Sequence, residues 1–271
     1  MRTTINIAVL LLLTIQITAQ ETVDAYTPAI NYGDKPELKR FIEQELYIPQ
    51  KYIDEKIDAD VILCFVVTEQ GEIRELQVSK SINEELDKIA LEIFDRILWT
   101  PAIYNSRPIN TKECLDVKFS YKKYLKCVKK RGYNKPAYSF APVDSTNTIY
   151  KLTQLEKAPL PLFNDKPVEI GDFIKKQIQY PELAYANNIT GTVKISFVVE
   201  QSGRISNIKV CNNLGGGCDA EALRLLKLLS WEPGFKNEMA VRTKLLFTIN
   251  FNLIEGADIN FVPSSTLGGV Y

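Results

Sequence analysis

A chain of 271 residues that is 45% hydrophobic has the length and apolar content for two ordinary globular domains of about a hundred residues each. Its 33 Lys and Arg balance 33 Asp and Glu, so whole-chain charge gives no pull toward nucleic acid or a strongly acidic partner. Histidine is absent, which excludes His-based catalytic arrangements and His-ligated metal sites.

In chain order, residues 1–19 read as a secretory signal peptide: Arg2 supplies the positive charge, residues 5–17 the apolar core, and Ile17-Thr18-Ala19 a small-residue cleavage site before Gln20. The alternative is an uncleaved inner-membrane anchor facing the periplasm. The apolar core is well short of the roughly 20 residues that span a bilayer, which favours cleavage.

Residues 20–121 follow as a first domain. Lys35-Pro36-Glu37 opens a helix that runs to about Leu46, with proline early in the helix, where its missing N–H is harmless. Residues 60–68 and 72–79 pattern as a hairpin. Ser81 followed by Glu84 has the spacing of a capping box before a helix carrying Leu86, Ile89, Ala90, Ile93, Phe94 and Ile97. A third strand covers residues 111–121.

Residues 122–160 lack sustained periodicity. Their start is basic (Lys122, Lys123, Lys126, Lys129, Lys130, Arg131, Lys135), and Pro136, Pro142, Pro159 and the adjoining Pro161 stiffen the remainder, the pattern of a solvated linker. The sharper alternative is docking of this basic stretch on an anionic surface such as a membrane leaflet.

A second domain occupies residues 161–254. Val193, Ile195, Phe197 and Val199 alternate as one buried strand face, Gln201-Ser202-Gly203 turns the chain, and Ile205, Ile208 and Val210 mark the returning strand. Asp219 opens a helix with Ala222, Leu223, Leu225, Leu226 and Leu229, which stops before Trp231-Glu232-Pro233. Residues 241–253 form the last strand, with Thr243, Leu245, Phe247, Ile249 and Phe251 inward and Arg242, Lys244, Leu246, Thr248 and Asn250 outward. A piece covering about residues 160–256 is expected to fold alone. Residues 255–271 read as a mobile or loosely packed tail.

Aligned on itself, the chain repeats at 132 residues without a gap from Phe41 to Tyr121: Phe41 matches Phe173, Phe65 Phe197, Gly71 Gly203, Trp99 Trp231 and Phe119 Phe251. Asp34-Lys35-Pro36 matches Asp165-Lys166-Pro167 after a one-residue shift. The fold class is therefore α+β: two tandem α-ββαβ units, each a small antiparallel sheet with helices packed on one face.

The second unit carries more specific signals: Tyr180-Pro181, G-x-V at Gly191, a hairpin with Ser202-Gly203, then Gly215-Gly216-Gly217-Cys218-Asp219-Ala220-Glu221-Ala222 and W-x-P at Trp231. This chain of motifs resembles the C-terminal domain of TonB in its Bacteroidetes-type version, here tandem duplicated. The first unit lacks the G-x-V and the glycine-rich helix entry and is the more divergent. With its signal cleaved as expected, the chain would also depart from TonB in lacking both the membrane helix and a long Pro-rich spacer. The resemblance implies a periplasmic, non-enzymatic domain in TonB-dependent transport that recruits short segments of outer-membrane transporters, or other envelope proteins, along its third strand. In this sequence that strand places Val241, Arg242, Lys244, Leu246, Thr248 and Asn250 nearest the partner, paired through backbone groups at an open edge. The alternative is a self-associating envelope scaffold, a homodimer that uses its edges on itself without energy transduction.

Five cysteines in an exported chain invite disulfides. Cys64 and Cys114 lie outward on the first and third strands, which the resemblance makes neighbours, so a cross-strand bridge is open to them. Cys211 and Cys218 flank a loose glycine-rich loop that would let them meet. No C-x-x-C motif provides a metal site and no cofactor is implied. Gly215-Gly216-Gly217 lacks the G-K-[ST] of a phosphate-binding loop and reads as a flexible connection. Trp99 and Trp231, after equivalent helices, read as lids on the two cores rather than as ligand-stacking groups.

Overall fold

The computed structural model describes residues 25–136, 139–140 and 142–252 in full and residues 256–263 by their backbone. The expected signal peptide, residues 1–19, lies outside the described residues. The first unit runs β1 (Tyr26–Thr27), β2 (Ile30–Asn31), α1 (Asp34–Glu45), α2 (Gln50–Asp54), β3 (Asp58–Val67), β4 (Ile73–Lys80), α3 (Glu84–Phe94), β5 (Trp99–Thr100), β6 (Ala102–Tyr104), β7 (Arg107–Ile109) and β8 (Thr111–Ser120). Its main sheet has the antiparallel order β4-β3-β8. Period-2 burial along β3 turns Val61, Leu63, Phe65 and Val67 onto Leu86, Ala90, Ile93 and Phe94 of α3, with Trp99 closing one end of this core.

The α3 cap differs from the expected Ser81–Glu84 box. Asn83 is the N-cap, its Oδ1 accepting from the Leu86 N–H at 3.0 Å, while Ser81 Oγ donates to Asp87 Oδ2. Asparagine directly before the helix reaches the free amide of its first turn, which Ser81, two residues earlier, does not.

The second unit repeats the plan with α5 (Ile170–Gln177), α6 (Glu182–Ala186), β12 (Gly191–Val199), β13 (Ile205–Asn212), α7 (Cys218–Leu228), β14 (Ser230–Glu232), β15 (Gly234–Lys236) and β16 (Met239–Asn252), preceded by β9 (Ile149–Tyr150), β10 (Leu160–Phe163) and β11 (Lys166–Pro167). The repeat extends to register. Val61 opposite Val117 becomes Val193 opposite Ile249, and the irregularities between Ile62 and Leu63 and between Cys64 and Val66 recur between Lys194 and Ile195 and between Ser196 and Val198. Bulges are inherited with the strand, because each moves a side chain relative to the core it packs on. The hairpin glycines Gly71 and Gly203 share a φ of +79°, and each passes beneath the backbone carbonyl of the tryptophan of its own unit.

Residues 122–160 are not a free linker. The chain enters α4 (Tyr121–Arg131) directly from β8, with Tyr124 buried, Arg131 donating to the Glu43, Gln44 and Leu46 carbonyls at 2.5 to 3.0 Å, and Gly132 closing the helix at φ +82°. Lys122, Lys123, Lys126, Lys129 and Lys130 of the basic run form the solvent face of that helix. Further on, β9 pairs in parallel with β16 at Arg242 and Thr243, and β10 pairs with β14. The expected tail is also partly ordered: residues 256–263 form β17 (Gly256–Pro263), antiparallel to β16. Among the described residues, no helix is long and apolar enough to cross a membrane.

Candidate partner-binding edges

Strand β16 has the inward residues the sequence predicts, with Leu245, Phe247, Ile249 and Phe251 in the core. Its expected open edge is absent. One side pairs with β12 from Gly191 opposite Phe251 to Val199 opposite Thr243; the opposite side pairs with β9 and with β17, the latter from Leu245 opposite Pro263 to Asn252 opposite Gly256, and β15 pairs with the start of the strand at residues 239–241. The residues expected nearest a partner are correspondingly engaged. Val241, Leu246 and Thr248 are buried, and Asn250 accepts from the Thr192 hydroxyl at 2.6 Å across the ladder. Lys244 lies over the Tyr32 ring at 5.3 Å, and burial lowers the pKa of its ammonium. Periodicity finds the inner face of a strand but does not show whether a later segment returns along its edge.

Arg242 is the strongest departure from an outward, exposed residue, being only 1% exposed. It grips the Glu200 carboxylate with Nε at 3.0 Å and Nη2 at 3.1 Å, and donates to the Asn147 and Arg96 carbonyls. Arg96, from the first unit, reaches Glu200 at 2.9 Å and Glu45 at 2.7 Å, and Arg204 of the second unit reaches Glu45 at 2.9 Å. Burial alone would raise the Glu200 pKa, but the Arg96 and Arg242 guanidiniums and the Ser206 hydroxyl outweigh it and hold the carboxyl at about 2. Asn207 adds neutral bonds across the same seam, to the Leu98 amide and the Arg96 carbonyl. Lys227 of α7 pairs with Glu37 of α1 at another point of the seam.

The third strand of the first unit is arranged differently. Tyr121 N donates to Ile57 O, which extends the β3–β8 ladder and makes the odd-numbered residues of β8 the ones bonded to β3. The N–H and C=O groups of Cys114, Asp116 and Lys118 therefore point away from the sheet, and among the described residues no strand pairs with them. Beside this edge a groove of about 280 Å³ runs between α1, β8 and α4. Its apolar lining includes Leu38, Ile42, Leu115 and Tyr124; Lys35, Lys39, Lys118 and Lys123 outnumber Glu43 and Asp116 along it. Lys118 also pairs with Asp58 at 3.3 Å and Asp60 at 3.6 Å, and the Asp58 contact raises its pKa. The signal for this edge was the basic run after β8. Tyr124, Cys127 or Val128, and Arg131 recur at helical spacing, so the chain leaves in a helix and does not double back.

Cys64 and Cys114 face each other across β3 and β8 with Cα atoms 4.1 Å apart and are joined by a disulfide. They occupy a non-hydrogen-bonded position of the ladder, where opposed side chains come closest. Cys211 and Cys218, expected as a second pair, are both free thiols: Cys211 is exposed near the end of β13, while Cys218 is buried as the first residue of α7. Packing accounts for this, because Gly216 and Gly217 lie against Ala184, Ile189 and Pro181 and turn Cys218 into the core. Trp99 and Trp231 are core residues, as their spacing indicates.

A family model described as Gram-negative bacterial TonB protein C-terminal matches residues 44–122 and 176–253, one match in each unit and together more than half the chain. No curated protein and no solved structure matches.

Proposed function

We propose, from the premise that this chain belongs to the Gram-negative bacterial TonB C-terminal family in two tandem copies, that it captures extended segments of outer-membrane transporters or other envelope proteins by β-strand addition. The family is one of periplasmic protein-interaction and energy-transducer domains and not of enzymes, so the chain is a TonB-like, envelope- and transport-associated module. The observation that carries the finer reading is a TonB-type third strand, β8, whose outer N–H and C=O groups have no strand partner among the described residues. An added strand gains backbone hydrogen bonds there, and the adjoining groove supplies the choice among side chains.

The test is a titration of the full-length protein with peptides spanning the periplasmic ends of outer-membrane transporters, read by intermolecular NOEs between peptide and strand amides. Extended peptides paired with a sheet edge are the expected result. Peptides that contact helices alone would remove strand addition. A stable dimer that binds none of them would replace this reading with the self-associating scaffold.

A further inference from the structure

We propose that the first unit alone holds the open receptor: the groove between α1, β8 and α4 takes one extended peptide, antiparallel to β8 along residues 113–120, with an acidic residue opposite Lys118. This rests on the strand-capture reading and adds to it which unit binds, in which direction and with what charge preference. The argument comes from comparing the two units at the 132-residue offset. In the second unit, β17 covers β16 from Leu245 to Asn252, and the equivalent positions on β8 run from Glu113 to Ser120. The second unit is thus closed by its own chain in the place where, among the described residues, the first is open. What keeps the first open is α4, which starts at Tyr121 with no residue to spare for a hairpin and is tied to the end of α1 by Arg131.

The register of β17 also indicates the chemistry of the occupant. Asp258 lies opposite Asn250, and the first-unit equivalent of Asn250 is Lys118. Residues directly opposite in an antiparallel pair share a face and interact. Lys118 is already shared with Asp58 and Asp60, and Lys39 pairs with Glu43 at 3.9 Å, so the wider preference for acid comes from Lys35 and Lys123, against Asp116. The occupant is a segment of another protein, since the β17 of a second copy is already paired within its own chain.

The probe is a capped synthetic peptide with the sequence of residues 256–263, titrated into the full-length protein with its disulfide intact. Amide exchange and shifts are followed by NMR. Exchange at Cys114, Asp116 and Lys118 should slow on binding. Replacing the aspartate of the peptide by lysine should weaken binding by about two- to five-fold, the range for exposed ion pairs. N-methylation of the peptide at alternate residues on its pairing edge should abolish binding, and this control leaves the protein unaltered. Slowed exchange at Leu246 and Thr248 with β8 unchanged would mean displacement of β17; strand capture would stand and the first-unit assignment would fall. Shifts confined to helices would overturn strand capture itself. Protection of β8 without peptide, growing with protein concentration, would make a second copy the occupant, and no binding at millimolar peptide would dismiss the receptor.

Discussion

Glu200 Oε2 lies 2.9 Å from Arg96 Nη2, a buried ion pair that crosses from the second unit to the first. With Glu45, Arg204 and Arg242 it forms one cluster: Arg96 to Glu200 and Arg204 to Glu45 cross between the units, while Arg96 to Glu45 and Arg242 to Glu200 lie within one. The expectation that residues 160–256 fold by themselves bears directly on this cluster, because that piece leaves Arg96 and Glu45 behind. We predict one cooperative unfolding transition for the whole chain, and a loss of about 3–5 kcal/mol in Glu200→Ala, the usual cost of stranding a buried charge, here that of Arg242. Calorimetry checks both; two resolved transitions in the wild type would mean that the seam does not couple the units.

The same carboxylate sets a pH dependence. Its folded pKa, about 2, lies below the ordinary value of 4.5, so Glu200 contributes stability that is fully present above about 4.5 and lost as pH falls through 2. The shift corresponds to about 3 kcal/mol. Glu200→Gln should therefore be less stable than wild type at pH 7, and the gap should narrow steadily between pH 4.5 and pH 2. Urea denaturation of both proteins across that range is the measurement, and a gap independent of pH would count against the assignment.

The disulfide between Cys64 and Cys114 closes a loop with a sequence separation of 50 residues. Loop-closure entropy puts its stabilisation at about 4 kcal/mol, an upper figure because the reduced chain retains structure. Cys64→Ala with Cys114→Ala should lose up to that amount, while Cys211→Ala should change stability by less than about 0.5 kcal/mol, as expected at an exposed position. In the folded wild type an alkylating reagent should mark Cys211 before Cys218, with Cys64 and Cys114 unmarked until reduction.

Both units, their strands and their core faces were legible because a period of 2 and a period of 3.6 are set by which residues avoid water. Cys64 and Cys114 could be paired because that periodicity put them on one face and the family resemblance made their strands neighbours. Arg242 was misread for the same reason. Alternation assigns a face but not what covers it, and here Glu200 and the first unit cover it with charge. The edge of β16 was misplaced because β17 pairs through backbone groups, which leave little mark on a sequence. A glycine-rich loop reads as loose enough to bridge Cys211 and Cys218, whereas the close approach of Gly216 to Ala184 shows it packed.

Gly203 separates turn geometry from general packing. An added Cβ would meet the Trp231 carbonyl oxygen at 2.1 Å, against 2.8 Å from the Trp99 oxygen at Gly71, and both positions carry a positive φ. Left-handed backbone costs a non-glycine residue about 1–2 kcal/mol, and the contact with a fixed carbonyl adds to it. Gly203→Ala should thus cost about 3 kcal/mol and Gly71→Ala about 2 kcal/mol by the same reasoning. Equal losses in thermal melts would mean that the tryptophan carbonyls play no part.

Removing residues 255–271 should turn the second unit into the state of the first. By the β8 parity carried across the repeat, Leu246, Thr248 and Asn250 direct their backbone groups at β17, so truncation leaves those groups without a partner strand. Stability should fall, because β16 loses a hydrogen-bonded ladder. Peptide stoichiometry should rise from one to two, with the new site protecting Leu246 and Thr248. Thr248→Pro in the truncated chain should restore a stoichiometry of one: proline deletes the outward donor while the β12 ladder, carried by the odd-numbered residues, keeps its bonds. Calorimetric titration with the 256–263 peptide reads the count directly. A truncated chain that stays folded and still binds one peptide would show that an unpaired third-strand edge is not sufficient, and that the groove between α1 and α4 supplies what the second unit lacks.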